Sequence, residues 1–430
     1  MLKTILHSLL KYFSKKIIRK YRPDVIGITG SIGKSSTKEA IAKILETKFN
    51  IRKSQKNYNN EVGVPLTIIG IDKTPGRSIF GWIKVFLKAK NLLFIRDKNY
   101  PEILVLEMGA DKPGDIPYLV DIAPCKVGVL TYISHAHTEA FKTIKKIAQE
   151  KRVIISHLQR DGFAVLNFDN ELVMQNANTT KAEIVTYGFK DGADFRATDI
   201  NIIISEETNW PIGLNFKLNF KGNIVPVFLP DAIAEHVIPS ALAALAVGHI
   251  FGVNLLDSIQ ALREFEPLPG HMRIIDGIKN TLLIDDTYNS SPEAAKSALL
   301  TLSKIDNHKD SKKIAVLADM LELGPETEDA HREIGFKVAE LGIDFLITVG
   351  EASKHTARAA REAGLNDNQI ASFADSSSAG KFLQEKLNRG DVVLIKGSQG
   401  LRMEKIVKEV MAKPLEAENL LVRQTKEWLA

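Results

Sequence analysis

The stretch Val25-Ile-Gly-Ile-Thr-Gly-Ser-Ile-Gly-Lys-Ser-Ser-Thr37 constrains this fold more than any other part of the chain. Its apolar start reads as a buried strand, its glycines as a tight turn, and Lys34 onward as a helix carrying Ala40, Ile41 and Ile44. Strand, turn and helix N-terminus aim backbone N–H groups and the helix dipole at one point, which makes a cradle for phosphate. In such a cradle Lys34 reaches the outer phosphates and the Ser35 hydroxyl takes Mg²⁺. The commonest spacing places a glycine at position 28; this chain has Ile28 there and Gly27 one residue early. A plain glycine turn followed by a surface lysine is the competing reading.

A chain of 430 residues is too long for one ordinary core, so two or three domains are expected. Charge is unevenly placed. Residues 1–22 hold seven Lys and Arg and no acid, while the remainder has 50 basic against 52 acidic residues. A near-neutral body argues against an extended nucleic-acid surface. Cys125 stands alone, which excludes a disulfide framework and a cysteine zinc cluster and fits a reducing compartment. No apolar run approaches the roughly 20 residues that span a bilayer. Residues 2–20 place Leu2, Ile5, Leu9, Leu10, Phe13, Ile17 and Ile18 at helical spacing among lysines. This basic amphipathic helix has three possible uses: packing on its own body, docking on a partner, or lying on an anionic membrane surface.

Further along, Asn57 to Pro65 is a polar loop entering an apolar stretch, and residues 76–95 read as a lysine-punctuated helix or helical hairpin. Ile103-Leu-Val-Leu-Glu107 is a buried strand with an acid at its end. That is the place for a Mg²⁺-handling carboxylate beside a phosphate loop, or for a carboxylate in water. Lys126 to Thr131 forms another strand, and His135 and His137 just beyond it could meet metal or phosphate. A helix over 142–158 and a strand at Phe163 to Asn167 follow. Residues 183–230 change to short alternating runs, an antiparallel patch attached to the parallel sheet. Pro267-Leu-Pro-Gly270 marks a boundary. Beyond it, four apolar runs alternate with helical patterns, which predicts a second, Rossmann-like parallel domain. The expected architecture is therefore α/β throughout: a basic helix (1–24), a phosphate-loop domain (25–268) and a C-terminal domain (269–430).

Taken together, several motifs resemble those of the Mur ligases, ATP-dependent amide-forming enzymes of peptidoglycan synthesis. In the first half these are Thr29 to Glu39, Asn59-Asn-Glu-Val-Gly-Val-Pro-Leu66, Glu107-Met-Gly-Ala110 and Ala136-His-Thr-Glu139. In the second half they are Ile284-Asp-Asp-Thr-Tyr-Asn-Ser-Ser-Pro292, Ala318 to Gly324, His331-Arg332 and Lys396 to Glu404. The second group narrows the resemblance to the branch that joins D-alanyl-D-alanine to a UDP-MurNAc-tripeptide. The resemblance implies ATP and one or two Mg²⁺ as cofactors, and a monomeric enzyme of the cytoplasm, peripheral to the inner membrane if residues 1–22 touch it.

Roles follow position by position. Gly30, Ser31, Gly33, Lys34, Ser35 and Ser36 match the phosphate loop, with Ser35 at the metal. Glu107 and His137 match metal-handling residues, and Lys151 falls where the family carries a carbamylated lysine at the second Mg²⁺. His271, Arg273, Asp286, Tyr288 and Asn289 match the nucleotide side of the C-terminal domain. Asn59, Asn60 and Glu61 match a loop near the peptidyl substrate, and Asp319, Lys396, Ser398, Arg402 and Met403 match motifs facing the substrates.

The implied chemistry is activation of a carboxylate as an acyl phosphate, followed by attack of an amine. Some positions differ from the family's pattern. His236-Val-Ile-Pro-Ser240 replaces a His-Asn motif that contacts the base, His271 stands where arginine is common, and Tyr132 replaces an asparagine. The family's N-terminal substrate domain has no counterpart among the 24 residues before Val25. A ligase for a different acceptor or carrier, and a nucleotide-binding scaffold without turnover, are the alternatives.

Overall fold

The structure is a computed structural model that describes residues 2–55, 58–134, 141–208, 210–305, 311–425 and 428. Two compact units emerge. One comprises Met1–Ile200, Phe216–Phe228 and His236–Phe265; the other comprises Asn201–Asn215, Leu229–Glu235 and Glu266–Ala430.

In the first unit, β1 (Asp24–Thr29) lies between β3 (Ile103–Glu107) and β4 (Val127–Leu130), parallel to both. The edge strand β2 (Ile51–Lys53) joins β3, and β5 (Phe163–Asn167) then β6 (Glu183–Gly188) extend the other side in parallel. β3 and β4 are buried at every residue, as expected of a parallel sheet covered on both faces. β6 belongs to this parallel set, although its sequence resembles the alternating runs after it. The patch proper is β7 (Phe195–Ile204), β8 (Pro211–Phe220) and β9 (Asn223–Pro230). Lys221 and Gly222, both with positive φ, make the two-residue turn that reverses the chain between β8 and β9.

Register positions the site. Ile28, the penultimate residue of β1, pairs with Glu107 on one side and Val129 on the other, and Thr29 pairs with Leu130. The loop after β1 and the ends of β3 and β4 therefore meet at the carboxyl edge of the sheet, where parallel α/β folds bind ligands.

Among the helices, α1 (Leu2–Tyr21) packs on its own unit: Leu10, Ser14 and Ile17 are fully buried. α2 (Lys34–Glu46) follows the loop, and α3 (Gly63–Ile69) is buried throughout. Residues 79–94 form one helix, α4 (Ile79–Phe94), not a hairpin. After α5 (Asp115–Ile122), the helix expected over 142–158 breaks at Arg152 into α6 (Ile144–Lys151) and a single turn, Val153–Ser156. The Ala-rich α7 (Ile238–Ile250) accepts Pro239 because it falls in the first turn, where its missing N–H has no intrahelical partner to lose.

The second unit holds a six-stranded sheet. It contains β10 (Arg273–Gly277), β11 (Thr281–Asp286), β12 (Lys313–Ala318), β13 (Phe345–Val349), β14 (Ile370–Phe373) and β15 (Val392–Lys396). Their order is β10-β11-β15-β12-β13-β14, parallel except for β10. The short edge strands β10 and β14 go beyond the four runs expected from sequence. Neighbouring residues of one strand enter opposite cores: Leu282 and Ile284 pack with Leu299, whereas Leu283 packs with Val393 and Val407. Helices cover both faces, giving the doubly wound arrangement. Among the described residues no helix is long and apolar enough to cross a membrane.

Candidate active site

The loop between β1 and α2 owes its shape to two glycines. A Cβ on Gly30 would lie 1.9 Å from the Thr131 hydroxyl, so the loop touches the end of β4 only because position 30 has no side chain. Gly33 has φ 82° and caps α2 in the left-handed region that other residues avoid. Thr131 holds the loop by donating to the Ile32 carbonyl at 2.6 Å, and Ser31 N–H donates to the Tyr132 carbonyl at 2.6 Å. The Ser31 hydroxyl exchanges hydrogen bonds with the Ser134 backbone at 3.1 and 3.2 Å. Ser36 lies in the first turn of α2, partly buried.

Two lysines converge on one oxygen. Lys34 donates to the Gly30 carbonyl at 2.9 Å, and Lys151, from the end of α6, donates to the same oxygen at 3.0 Å. Burial pulls Lys34 below the usual lysine range, opposed by the Glu107 and Asp111 carboxylates. Lys151 is driven down to about 7, first by burial and then by the neighbouring Lys34 charge, against Glu150 and Asp111. Two lysines crowded at a helix N-terminus disfavour each other's charge, and a phosphate group there would relieve that crowding.

The carboxylate of Glu107 is held on every side. The Ser35 hydroxyl donates to it at 2.8 Å, Asn59 Nδ2 donates at 3.1 Å, and Lys38 Nζ lies 3.6 Å away. Lys38, one turn beyond Lys34 on α2, is only 1% exposed and also faces Glu39 at 3.4 Å. In the sequence only its i, i+4 spacing from Lys34 marks it, and that spacing fits a lysine lying in water equally well. Hydroxyl and carboxylate oxygens are hard donors that suit Mg²⁺, which completes its octahedron with water and substrate phosphate rather than an all-protein cage. Among the described residues no cluster of three His, Cys, Asp or Glu side chains could hold a metal by itself.

The remaining first-unit candidates separate. Asn59 joins Glu107, and its carbonyl accepts from Gly109 N–H at 2.7 Å. Asn60 instead turns its side chain to the N–H groups of Val62 and Gly63 at the start of α3. Glu61 stands partly exposed at that helix entry. His135 and His137 lie outside the described residues.

In the second unit, Lys396 at the end of β15 is 2% exposed; it donates to Asp286 at 2.7 Å and to the Asn289 carbonyl at 3.0 Å. The rings of His271 and Tyr288 stack with centroids 4.6 Å apart. Arg273 goes to Glu266 at 3.1 Å. The Asp319 carboxylate is spent on the backbone N–H groups of Glu351 and Ser353, which makes it a support for the turn after β13. Ser398 accepts from Leu321 N–H at 2.9 Å. Arg402 pairs with the fully buried Glu404, which Arg423 also contacts at 3.2 Å, and Met403 is fully buried. His331 is a satisfied core histidine between Met320 N–H and the Thr327 carbonyl.

Asp285 lies wholly buried beneath the Asp286–Lys396 pair's strand end. It accepts from Gly270 N–H at 2.9 Å and from Thr287 N–H and Oγ at 3.2 and 2.6 Å. Burial nevertheless pushes its pKa up to about 6, with the Asp286 charge adding to the rise. Below the unfolded value near 4 both states are protonated, and above 6 both are ionised with the full desolvation cost. Stability contributed at this position should therefore fall as pH rises from about 4 to 6, by a few kcal/mol at most. Denaturant titrations of the native chain and Asp285→Asn across that window check it: the variant should lose this slope.

A glycine loop opening a helix at the carboxyl edge of a parallel sheet, with a serine hydroxyl bonded to a strand-end carboxylate beside it, is the geometry of nucleotide-phosphate-binding α/β proteins. Comparison with known proteins narrows the class. The family model described as the Mur ligase middle domain matches residues 28–77 and 87–248, and that described as Mur ligase, glutamate ligase domain matches 270–399. The chain belongs to the Mur ligase family. It is 29% identical over 406 residues to the UDP-N-acetylmuramoyl-tripeptide--D-alanyl-D-alanine ligase of Bacillus subtilis (strain 168), covering 94% of this chain and 80% of that protein. The Escherichia coli (strain K12) ligase of the same name is 29% identical over 390 residues, covering 89% and 76%. Among solved structures, the MurF ligase from Thermotoga maritima in complex with ADP matches with TM-score 0.76 and 26% identity, over 96% of this chain and 84% of that one.

Proposed function

We propose that this chain is an ATP- and Mg²⁺-dependent ligase that joins D-alanyl-D-alanine to UDP-MurNAc-tripeptide through an acyl phosphate. The observation that carries the reading is the convergence of Lys34 and Lys151 on the Gly30 carbonyl beside the Ser35–Glu107 pair. Phosphorylating a carboxylate brings two anions together. Lys34 and the N–H groups opening α2 counter that repulsion and hold the transferring phosphoryl group in place. Mg²⁺, held by Ser35 and Glu107 when bound, adds charge neutralisation and polarises the phosphate oxygens. Lys38 and Asn59 fix the Glu107 carboxylate so that its oxygens face the loop. Lys396, Ser398 and Arg402 serve the incoming dipeptide, and His271 with Tyr288 offers a stacked face to the nucleotide. The enzyme works as a monomer in the cytoplasm, with residues 1–22 touching the inner membrane surface.

The test is phosphate release with ATP, D-alanyl-D-alanine and UDP-MurNAc-tripeptide, set beside tripeptides lacking UDP. Turnover that depends on D-alanyl-D-alanine is expected; none with any acceptor would sink the reading.

Lys151 has a further part in this proposal. An amine that titrates near 7 is substantially neutral at working pH, and a neutral amine adds CO₂ to give a carbamate and release a proton. The product is a carboxylate in place of the neutral amine, beside the Gly30 carbonyl that the amine now contacts. Lys151→Ala should lose at least about 100-fold in turnover, as for loss of a group acting on developing charge, and bicarbonate should not restore it. A carbamate signal in ¹³C NMR with labelled bicarbonate is expected from the native chain and absent from the variant. Full activity in Lys151→Ala would remove the carbamate.

A further inference from the structure

α1 and α4 share an unusual surface, and the family models leave α1 and the first half of α4 unmatched. α1 precedes the first matched residue, and residues 78–86, the start of α4, fall in the gap between the two matched segments. α4 buries Val85, Ala89 and Leu92 on one side. At 100° per residue its opposite side gathers Ile79, Phe80, Ile83, Leu87 and Phe94 within one arc. These are not edge residues: Phe80 is 80% exposed, Phe94 77% and Ile79 75%. A helix apolar on both sides, one of them bare, has a second environment to meet.

The charge on the two helices favours an anionic one. Neither helix contains an acidic residue, while α1 carries six Lys or Arg and α4 carries Lys84, Lys88 and Lys90. Lys11 and Lys15 share the single carboxylate of Asp121. Tyr12, Lys16, Arg19 and Lys20 of α1 and Lys90 and Phe94 of α4 line one open groove of about 670 Å³, with no carboxylate among its described lining residues. Aromatic rings beside cations, with Lys90 over Phe94 and Lys16 over Tyr12, repeat the mixture found at lipid headgroup level. A second copy is disfavoured as the occupant, because a two-fold contact would set this all-basic face against itself.

We infer that α1 and α4 together form a docking face for bilayers containing anionic phospholipid. The outer apolar side chains of α4 enter the interface, and Lys16, Arg19 and Lys90 take lipid phosphates, while Lys20 is held by the Leu92 and Leu93 carbonyls at 2.8 and 3.0 Å. This deepens the membrane contact proposed for residues 1–22 and is independent of which acceptor the ligase uses.

The test is co-sedimentation of the full chain with vesicles of phosphatidylcholine alone and of phosphatidylcholine with about one-quarter phosphatidylglycerol. Binding at least about tenfold stronger to the anionic vesicles is expected, weakening as salt rises. Phe80→Glu with Ile83→Glu, on the bare side of α4, and Lys16→Glu with Arg19→Glu, on α1, should each lower it about tenfold or more. Phosphate release with soluble substrates should be unchanged in all of them, so failure of the ligase reading and failure of this one are told apart. Loss of binding in the α1 variant alone would overturn the role of α4 while leaving that of α1. Equal binding to both vesicle types, or to neither, would overturn the whole proposal. So would a lipid-free dimer in light scattering that the α4 variant abolishes, which would assign the face to a second copy.

Discussion

Lys34→Ala should lower kcat/KM for ATP by about 10³-fold, near 4 kcal/mol of lost transition-state stabilisation. The reason lies in what the side chain touches. Its one described hydrogen bond is to the Gly30 carbonyl, four residues away, so little of the fold rests on it. Burial disfavours its charge more than the Glu107 and Asp111 carboxylates favour it, and that charge in turn lowers Lys151. Removing it relieves that crowding, and Lys151 should titrate higher in the variant. The variant should therefore fold normally, show a Tm within a degree or two of the parent, and fail in phosphate release. Lys34→Arg should not rescue, because a planar fork does not fit where one ammonium reaches into a tight loop. A loss smaller than about tenfold would move the phosphate role to Lys38 or Lys151.

The second large effect is on stability. Lys396→Ala should cost about 3–5 kcal/mol, because it leaves the Asp286 carboxylate and the Asn289 carbonyl without their partner in a nearly dry site. Replacing both members by apolar residues should recover much of the loss, since what is expensive is one buried charge left alone. Denaturant unfolding of Lys396→Ala, Asp286→Leu and Lys396→Met/Asp286→Leu would measure the coupling. Additive losses in the double variant would mean that the pair is solvated and that Lys396 is held for its chemistry alone.

The legible parts of this protein are those written in consecutive residues. The phosphate loop could be read from one stretch because strand, turn and helix cap are local, and the helix N-terminus fixes where N–H groups point. Glu107 could be placed at a strand end from the apolar run before it. Lys38 could not be read, since a lysine on an amphipathic helix normally lies in water; only packing shows it walled in beside Glu107 and Glu39. Asp319 carried a motif signal, yet its oxygens are occupied by two backbone N–H groups from the turn after β13. Arg273 sits near the expected position and turns to Glu266 instead. Residues 76–95 left helix and hairpin open because an apolar period cannot show that both sides of one helix are apolar for different reasons.

Sequence alone determined the α/β plan, the glycine loop that turns from a buried strand into the helix opening at Lys34, and the surplus of positive charge in the first 22 residues. These depend on local backbone preference and on composition. Only the tertiary structure decided that Lys151 reaches the carbonyl of Gly30, 121 positions away in the chain, that Ser35 and Asn59 meet on Glu107, and that α1 and α4 line one basic groove. Those facts set the charge state and partners of each group. They follow from strand register and desolvation, which act between residues that the chain itself keeps far apart.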